Sequence, residues 1–418
     1  MEIDICIIGA GPAGLMAAVC SAKAGAKTLV VETNTAAARK LILTGGGRCN
    51  LTHNCNVADF LKAFGEKSKF VKHCLYNFTP QDLRQFFEER GLPTKVLEDN
   101  CVFPASERSS DVRDLLVKES VKAGVQFLYN RRIEKIEKND YFFAISNENE
   151  KIISKKTIIA TGGLSYPQTG SNGDGFKLAQ KLFHTIITPK PALVPLITSE
   201  SWPGRLAGVS MENVKLTANL NAKKILSIGD MLFTQDGIGG PAVMDLSRLI
   251  VDYLFVNKIA IPVSIDTINN LSSTYLERKF LQLVEENPKK TLKGILSFLY
   301  PQRFAVCFCD VFSFDEEKIA RQTAKVERKR LVNLLKAIPL NVTGTRPIEE
   351  ATITRGGVFT NEIESKTMES KICRGLYFAG EVIDVDGPCG GFNLQFAFSS
   401  GALAGKSAAK SLLKKFES

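Results

Sequence analysis

The chain is poor in several of the residue types and patterns that mark whole classes of protein. It has one Trp and three His among 418 residues, and its ten Cys include no CxxC pair. A disulfide framework or a zinc module needs paired cysteines at short spacing, so neither organises this fold. Cys307 and Cys309 stand two apart in an apolar segment, which points to core packing rather than metal. No apolar run reaches the roughly 18–20 residues that span a bilayer. The opening MEIDICIIGAG carries no basic stretch and runs straight into a motif that has to be folded. A cleaved signal peptide is therefore not expected, and a cytoplasmic protein is. There is no internal repeat, no low-complexity tract and no acidic excess.

What the chain does have is length, ordinary hydrophobicity and a basic surplus. With 418 residues it exceeds the ~250–300 at which single cores stop growing, so two or three domains are expected. Hydrophobic residues make up 44% and charged residues 23%, as in globular proteins. Net charge is +10, and residues 277–336 hold 13 Lys or Arg against 8 Asp or Glu. Such asymmetry points to an acidic partner or to a solvated helical face.

Residues 1–190 alternate strand and helix signals. Residues 4–8 are a buried parallel strand by composition, 12–23 an alanine-rich helix closed by Gly25, and 27–31 a second strand. Thr79 caps a helix with Pro80 in its first turn and Gly91 at its end. Residues 125–136 read as a strand pair and 156–160 as another buried strand. From Pro191, VKLTANL and KIAIPVSIDT suggest an antiparallel β unit. Residues 272–340 read helical, broken at Pro288 and Pro301. After Ile353 the glycine-rich α/β style returns and ends in a small-residue helix over 399–413. The expectation is an α/β fold: a split nucleotide-binding domain (1–190 and 350–418) with an inserted β domain (191–271 and 338–349) and an inserted basic helical domain (272–337).

The chemistry begins at Gly9-Ala10-Gly11-Pro12-Ala13-Gly14, a GxGxxG placed after a strand and opening a helix. Gly9 allows the tight turn, Gly11 lets backbone approach a pyrophosphate, and Gly14 lets helix pack on strand. The helix N-terminus then offers free N–H groups and the positive end of its dipole to phosphates. At the end of the next strand stands Glu32, placed to accept hydrogen bonds from an adenosine ribose. FAD rather than NAD follows from two later segments. Residues 158–163 run a buried strand into Thr161-Gly162-Gly163. Residues 375–381 run a strand into Gly380-Glu381, a carboxylate for the ribitol. Gly390-Gly391-Phe392-Asn393 then opens the last helix, whose amides would face the flavin's pyrimidine edge and stabilise charge on the reduced ring. Pro12, Ala13, Thr33, Arg39, Gly47, Arg48 and Ile133 complete the candidate cofactor contacts. Residues 237–242 also fit GxGxxA, but without a long preceding strand or a following acid they read as a turn. NAD(P)H would then visit the flavin only as a transient reductant.

Arg39-Lys40-Leu41 with TGGGRCNLT at 44–52, GLSYPQTGSNGDG at 163–175, PALVPL at 191–196, LFTQDGIGGPA at 232–242 and FAGEVIDVDGPCGGFN at 378–393 resembles the BaiN/RdsA-type flavoproteins, also described as aminoacetone-oxidase-like. The resemblance covers nearly the whole chain and implies a split Rossmann-like FAD-binding domain with inserted β-barrel-like and helical domains. It implies FAD contacts at Gly9, Gly11, Gly14, Glu32, Lys40, Gly162, Glu381, Gly391 and Asn393. It also implies one of three activities: a bile-acid enone reductase, a dihydrouridine synthase acting on large-subunit ribosomal RNA, or an aminoacetone oxidase. Two departures stand on the substrate side: Gln235-Asp236 in place of an aromatic or His-bearing pair, and Cys389 where relatives carry Thr or an apolar residue.

Steroid enone and uracil share a C=C conjugated to a carbonyl. Reduced flavin gives hydride to the β carbon, and an acid must protonate the α carbon. Cys49, with Arg48 beside it to stabilise thiolate, is the first candidate acid. Asn50 in the same loop and Cys389 beside Gly390 are further catalytic candidates. The alternative for Cys49 is a buried thiol packed near the flavin, and for His53 a satisfied surface side chain rather than a substrate ligand. Lys318, Arg321, Lys325 and Arg328 step by three, four and three residues, so a helix would carry them as one stripe with Lys329 adjoining, suited to RNA phosphates. Three functions stay open: an NAD(P)H-dependent ribosomal RNA dihydrouridine synthase, a small-molecule reductase or amine oxidase, and a flavin-bearing redox sensor. No metal site and no membrane partner is expected, and nothing in the sequence specifies an oligomeric state.

Overall fold

The computed structural model describes residues 2–147, 151–220 and 223–413. It divides into two compact units, Met1–Lys190 with Ile348–Ser418, and Pro191–Pro347.

The first unit is built on a nine-stranded sheet. Its strand Glu2–Ile8 lies between Thr28–Val31 and Lys151–Ile159, parallel to both, with Ile7 opposite Val30 on one side and Ile158 on the other. Gln126–Leu128 extends the parallel set beyond Thr28–Val31, and Leu376–Phe378 extends it beyond Lys151–Ile159. Ile5, Cys6 and Ile7 are fully buried, as expected of a parallel strand covered on both faces. The helix Pro12–Lys23 follows this strand and packs on the last helix, Phe392–Leu413. Gly401 and Gly405 make that approach possible: a Cβ at either would stand well under 3.0 Å from a backbone carbonyl of the first helix, Ala13 or Ala17. Thr79 and Asp82 form a reciprocal capping box at Pro80–Glu88.

Residues 125–136 are not a strand pair. Gln126–Leu128 joins the parallel sheet, whereas Lys135–Lys138 pairs with Phe143–Ser146. The chain leaves the sheet between them because Asn130 and Arg131 donate their N–H groups to Asn34 and Glu32 carbonyls, with Asn130 at φ +57°.

The second unit is a closed antiparallel barrel of six strands, in the order Leu196–Thr198, Gly237–Gly239, Lys223–Phe233, Ser210–Leu220, Ile261–Asp266 and Ile338–Thr345. Along Ser210–Leu220 the residues Val214, Leu216 and Ala218 are buried at alternate positions, filling the interior. Residues 237–242 are more than a turn: Gly237–Gly239 is a barrel strand, Gly240 bends at φ +90°, and the helix Pro241–Asn257 follows. An antiparallel barrel strand cannot place a dinucleotide as a parallel βα unit does. Asp236, one of the two departures, is ion-paired to Arg346 at 2.8 Å.

The helices Ser273–Glu286, Leu292–Leu296, Gln302–Val311 and Lys325–Lys336 lie between the last two barrel strands. Phe280, Ile295, Phe304, Leu331 and Leu335 share one core with Leu216, Phe233 and Val263 of the barrel, so this helical stretch has no core of its own. Cys307 and Cys309 are buried in it. The expected basic stripe does not form on a helix. Residues 315–324 are held out of α-helix, with only a 3-10 turn at Ala320–Gln322, by a bridge from Ile319 to Thr291 and by the Leu292 N–H bonded to the Lys318 carbonyl. The helix starts only at Lys325, after an extended Ala324. Lys318 pairs with Glu327 at 2.7 Å and Arg328 with Glu277 at 2.9 Å, leaving Arg321, Lys325 and Lys329 exposed. Among the described residues no helix is long and apolar enough to cross a membrane.

Candidate functional site

The glycine turn of the first unit is shaped by steric need at two positions and by openness at a third. Gly9 sits at φ +104°, with its N–H bonded to the Val31 carbonyl at 2.8 Å. A Cβ there would stand 2.5 Å from the Ala160 carbonyl oxygen, and one at Gly14 would run into the Gly9 carbonyl. A Cβ at Gly11 would meet no protein atom within 4 Å. Gly11 thus borders a cradle that backbone leaves empty. The helix behind it has no side-chain cap and no acid in its first turn, and Pro12 lacks an N–H. Its first internal bond is Leu15 N–H to Gly11, so the Ala13 and Gly14 amides precede the ladder. Free amides at a helix N-terminus beside open space suit an anion such as a dinucleotide pyrophosphate.

Glu32 braces the turn. Its Oε2 accepts from the Ala10 N–H at 2.8 Å, and its Oε1 accepts from the N–H and Nδ2 of Asn34 at 2.9 and 2.7 Å. Arg39 donates to Asn34 Oδ1 at 2.8 Å, so Arg39 reaches this end of the cradle through Asn34, beside Thr33. Ile133 is buried.

Lys40 is brought to the carboxylate of Glu381 at 2.7 Å and to Ser165 Oγ at 2.6 Å. The other oxygen of Glu381 accepts from Ser165 Oγ at 3.1 Å and from the Thr354 N–H at 2.8 Å. Glu381 is therefore the centre of a four-residue network. A Cβ at Gly163 would run into Thr354 Oγ1, and one at Gly380 (φ +74°) would stand 2.8 Å from Ala13 Cβ, which seats this network against the first helix. Thr161 Oγ1 and Ser171 Oγ, flanking Gly162, are buried with no partner. Such orphans next to an empty cradle fit a polar ligand.

The loop after Glu381 is clamped at both ends. Asp384 pairs with Lys67, and Asp386 with Arg355 at 2.8 Å. Asn393 accepts the Gly387 N–H at 2.8 Å and donates to the carbonyls of Gly387 and Pro388. Gly390 and Gly391 then bend at φ +107° and +90°, and a Cβ at Gly391 would stand 2.5 Å from the Thr52 carbonyl carbon. Asn50 closes the same contact when its amide takes the orientation its surroundings demand: the nitrogen then donates to Thr52 and Val102 carbonyls at 3.0 and 3.3 Å, and the oxygen accepts the Gly391 N–H at 3.3 Å. Asn50 is thus a brace. Cys389 is half-buried on this loop.

His53 is not a solvated surface side chain. Its ring stacks on Phe392 at 5.0 Å, and its Nδ1, like Thr52 Oγ1, is buried with no partner. Cys49 is placed differently from the expectation for a catalytic acid. It is 0% exposed at φ +63°, and burial pushes its thiol up to about 12, the hydrogen bond with Thr44 only partly opposing this. Arg48 does not serve it: the guanidinium lies over the Phe103 ring at 4.6 Å and near Glu107 at 3.5 Å. Gly47 beside it is at φ +86° and exposed.

Sequence reasoning missed Asn34, Ser165, Thr354 and the pairs Lys67–Asp384 and Arg355–Asp386. The signal available was the acid spacing in GEVIDVDG, three carboxylates in six residues that are each matched to a cation far away in the chain.

Comparison with known proteins places the chain in a family. The family model described as HI0933-like protein Rossmann domain matches residues 3–407. The chain is 33% identical over 401 residues to a ribosomal RNA dihydrouridine synthase of Haemophilus influenzae, covering 94% of this chain and 95% of the relative. It is 29% identical over 407 residues to a 3-dehydro-bile acid delta(4,6)-reductase of Clostridium scindens, covering 97% and 98%. Among solved structures, a 3-ketosteroid delta1-dehydrogenase of Sterolibacterium denitrificans matches 98% of this chain and 100% of its own, with a TM-score of 0.54 at 11% identity. That likeness shows the shared fold.

Proposed function

The chain belongs to the HI0933-like family, and on that footing we propose that it is an FAD-dependent oxidoreductase that uses NAD(P)H to saturate a C=C conjugated to a carbonyl, with uridine in large-subunit ribosomal RNA as the substrate. A dihydrouridine synthase and a bile-acid delta(4,6)-reductase, the names its relatives carry, do one kind of chemistry: hydride to the β carbon and a proton to the α carbon. Bound FAD would supply the hydride.

The residues of this chain then have defined tasks. The Ala13 and Gly14 amides take the pyrophosphate above Gly11, and Glu32 fixes the turn that presents them. The Lys40–Glu381–Ser165–Thr354 network places one cation and one carboxylate at the ribitol side of the cradle. The loop 387–393, held by Asn393 and Asn50, carries the head of the last helix toward the ring, where its amides stabilise negative charge. With Cys49 sealed off, Cys389 on that loop is the cysteine left as proton source. Residues 237–242 build a barrel strand and a helix, so NAD(P)H acts here as a visiting reductant rather than as a resident of a second nucleotide domain.

The observation that carries RNA over a small molecule is the basic surplus of residues 277–336, 13 Lys or Arg against 8 Asp or Glu. A small-molecule enone reductase is the second reading, favoured by the relative named for a bile acid; an aminoacetone-type oxidase is a more distant alternative. Two measurements separate them. Mass spectrometry of ribosomal RNA nucleosides from cells with and without the gene should show one dihydrouridine lost with the gene. Unchanged dihydrouridine, with NAD(P)H-driven reduction of a steroid enone by the purified protein, would refute the RNA reading.

A further inference from the structure

We infer that the second unit holds its RNA on an exposed cationic surface made by the Lys289–Lys290 turn, Arg321 and the outer face of the helix Lys325–Lys336, with the Phe298 ring as a stacking platform; this rests on the RNA reading above.

The inference comes from charges that have partners and charges that do not. Residues 289–330 hold ten Lys or Arg and five Asp or Glu. All five acids are engaged locally. Asp310 pairs with Arg205 at 2.6 Å, Glu316 and Glu317 pair with Lys293, and Glu327 pairs with Lys318 at 2.7 Å. Asp315 accepts the N–H groups of Glu317 and Lys318 at 3.1 and 3.2 Å. Arg328 is taken by Glu277, and Arg330 lies over Phe314 while donating to the Phe312 carbonyl. Lys289, Lys290, Arg321, Lys325 and Lys329 remain exposed with no carboxylate partner among the described residues.

Lys289, Lys290 and Arg321 are brought together by backbone pairing that the sequence pattern did not reveal. The Ala320 N–H donates to the Lys290 carbonyl at 3.0 Å, and Thr291 bridges Ile319, so the Lys289–Lys290 turn runs beside Arg321. Lys325 and Lys329 are one helical turn apart, which puts their Cβ atoms about 5–6 Å from each other on one face. Unpaired cations in a row repel each other, and a polyanion relieves that repulsion by releasing its own counterions. An acidic polypeptide would meet the charges equally well. What favours a nucleic acid is Phe298, a ring 53% exposed with Lys290 Nζ 5.9 Å from its centroid. An exposed ring beside unpaired cations is the pairing that single-stranded RNA uses, with bases stacked and phosphates neutralised.

The test is fluorescence anisotropy of a labelled oligouridylate bound to the FAD-loaded protein across a salt series. Arg321→Gln, Lys325→Gln and Lys329→Gln combined should flatten the slope of log affinity against log salt by about two units, at roughly 0.7 for each single-strand phosphate contact. Phe298→Ala should weaken binding about 5- to 100-fold at every salt with the slope unchanged. Lys318→Gln with Arg328→Gln, which removes paired cations, should leave the slope as it is. FAD content and melting temperature are checked on each variant, so a misfolded protein is not read as a binding loss. A wild type that binds no oligouridylate would overturn the RNA reading itself. A wild type with a steep slope that the triple variant retains would overturn this surface and leave that reading standing. Equal binding of polyglutamate, insensitive to Phe298→Ala, would assign the surface to an acidic protein instead.

Discussion

Gly11→Ala and Gly14→Ala make a sharp pair, because they add the same methyl group to the same turn with opposite consequences. At Gly11 the backbone is extended (φ −72°, ψ 179°), a conformation open to alanine, and the new Cβ would have no protein atom within 4 Å. The apoprotein should therefore fold as before. Its stability should change by no more than about 1 kcal/mol, since alanine reduces unfolded-state freedom but caps a helix less well than glycine. The methyl would fill the space the pyrophosphate needs. Losing one or two amide bonds to a charged group, at about 1.5–3 kcal/mol each, weakens FAD binding by roughly 10-fold to 10⁴-fold. At Gly14 the Cβ would run into the Gly9 carbonyl, a backbone atom that cannot swing aside. The first helix must then shift off its strand, which costs about 1–3 kcal/mol in the apoprotein, or roughly 2–4 °C of melting temperature for each kcal/mol. Apoprotein stripped of flavin should be melted and then titrated with FAD, following quenching of FAD fluorescence. Full FAD affinity in Gly11→Ala would refute the placement of the pyrophosphate. A melting temperature lowered as much in Gly11→Ala as in Gly14→Ala would show that the turn serves folding alone.

Cys49 should resist thiol-alkylating reagents in the native protein at about pH 8, several units below its raised pKa of about 12, and react only after denaturation; rapid native labelling, read by mass spectrometry, would restore it as a candidate acid. Lys67→Met strands the buried Asp384 and should cost about 2–3 kcal/mol in urea denaturation, below the 3–5 of a fully buried pair because Lys67 is part-exposed; the double variant with Asp384→Asn should recover most of it, and no recovery would mean the pair is not coupled. His184 is buried with Nδ1 on the Ala179 carbonyl and Nε2 on Ser370 Oγ at 2.7 Å, and burial, the largest influence, lowers its pKa. The unfolded chain then binds the extra proton more readily, so this residue's contribution is complete above about pH 6.5 and declines as the pH falls below it. His184→Gln should reduce the stability difference between about pH 7.5 and pH 5.5, and an unchanged difference would exclude the residue as its source.

The geometry of the glycine turn was legible where its parts are covalently close. Gly9, Gly11, Gly14 and Glu32 are spaced by the geometry of one strand, one turn and one helix, and short-range spacing survives folding unchanged. Thr79 and Pro80 announced their helix for the same reason: a cap is satisfied within three residues. The basic stripe failed because periodicity assumes a helix it cannot guarantee. One bridge from Ile319 to Thr291 was enough to take Lys318 and Arg321 off it.

Other assignments depended on partners distant in the chain. Lys40 meets Glu381 across 341 residues, and nothing local distinguishes that carboxylate from Asp384 or Asp386 beside it. Cys49 looked reactive beside Arg48 in a glycine loop, yet its burial was decided by the surrounding packing, while Arg48 turned to Phe103 and Glu107. The amino-acid order alone determined the nucleotide-binding turn, the parallel strand it follows and the presence of an inserted antiparallel unit, because each follows from residue type and near-neighbour spacing. Only the tertiary structure decided which cations are neutralised, which thiol is sealed and which polar groups are left without partners, because burial and charge pairing depend on segments that meet only when the chain has folded.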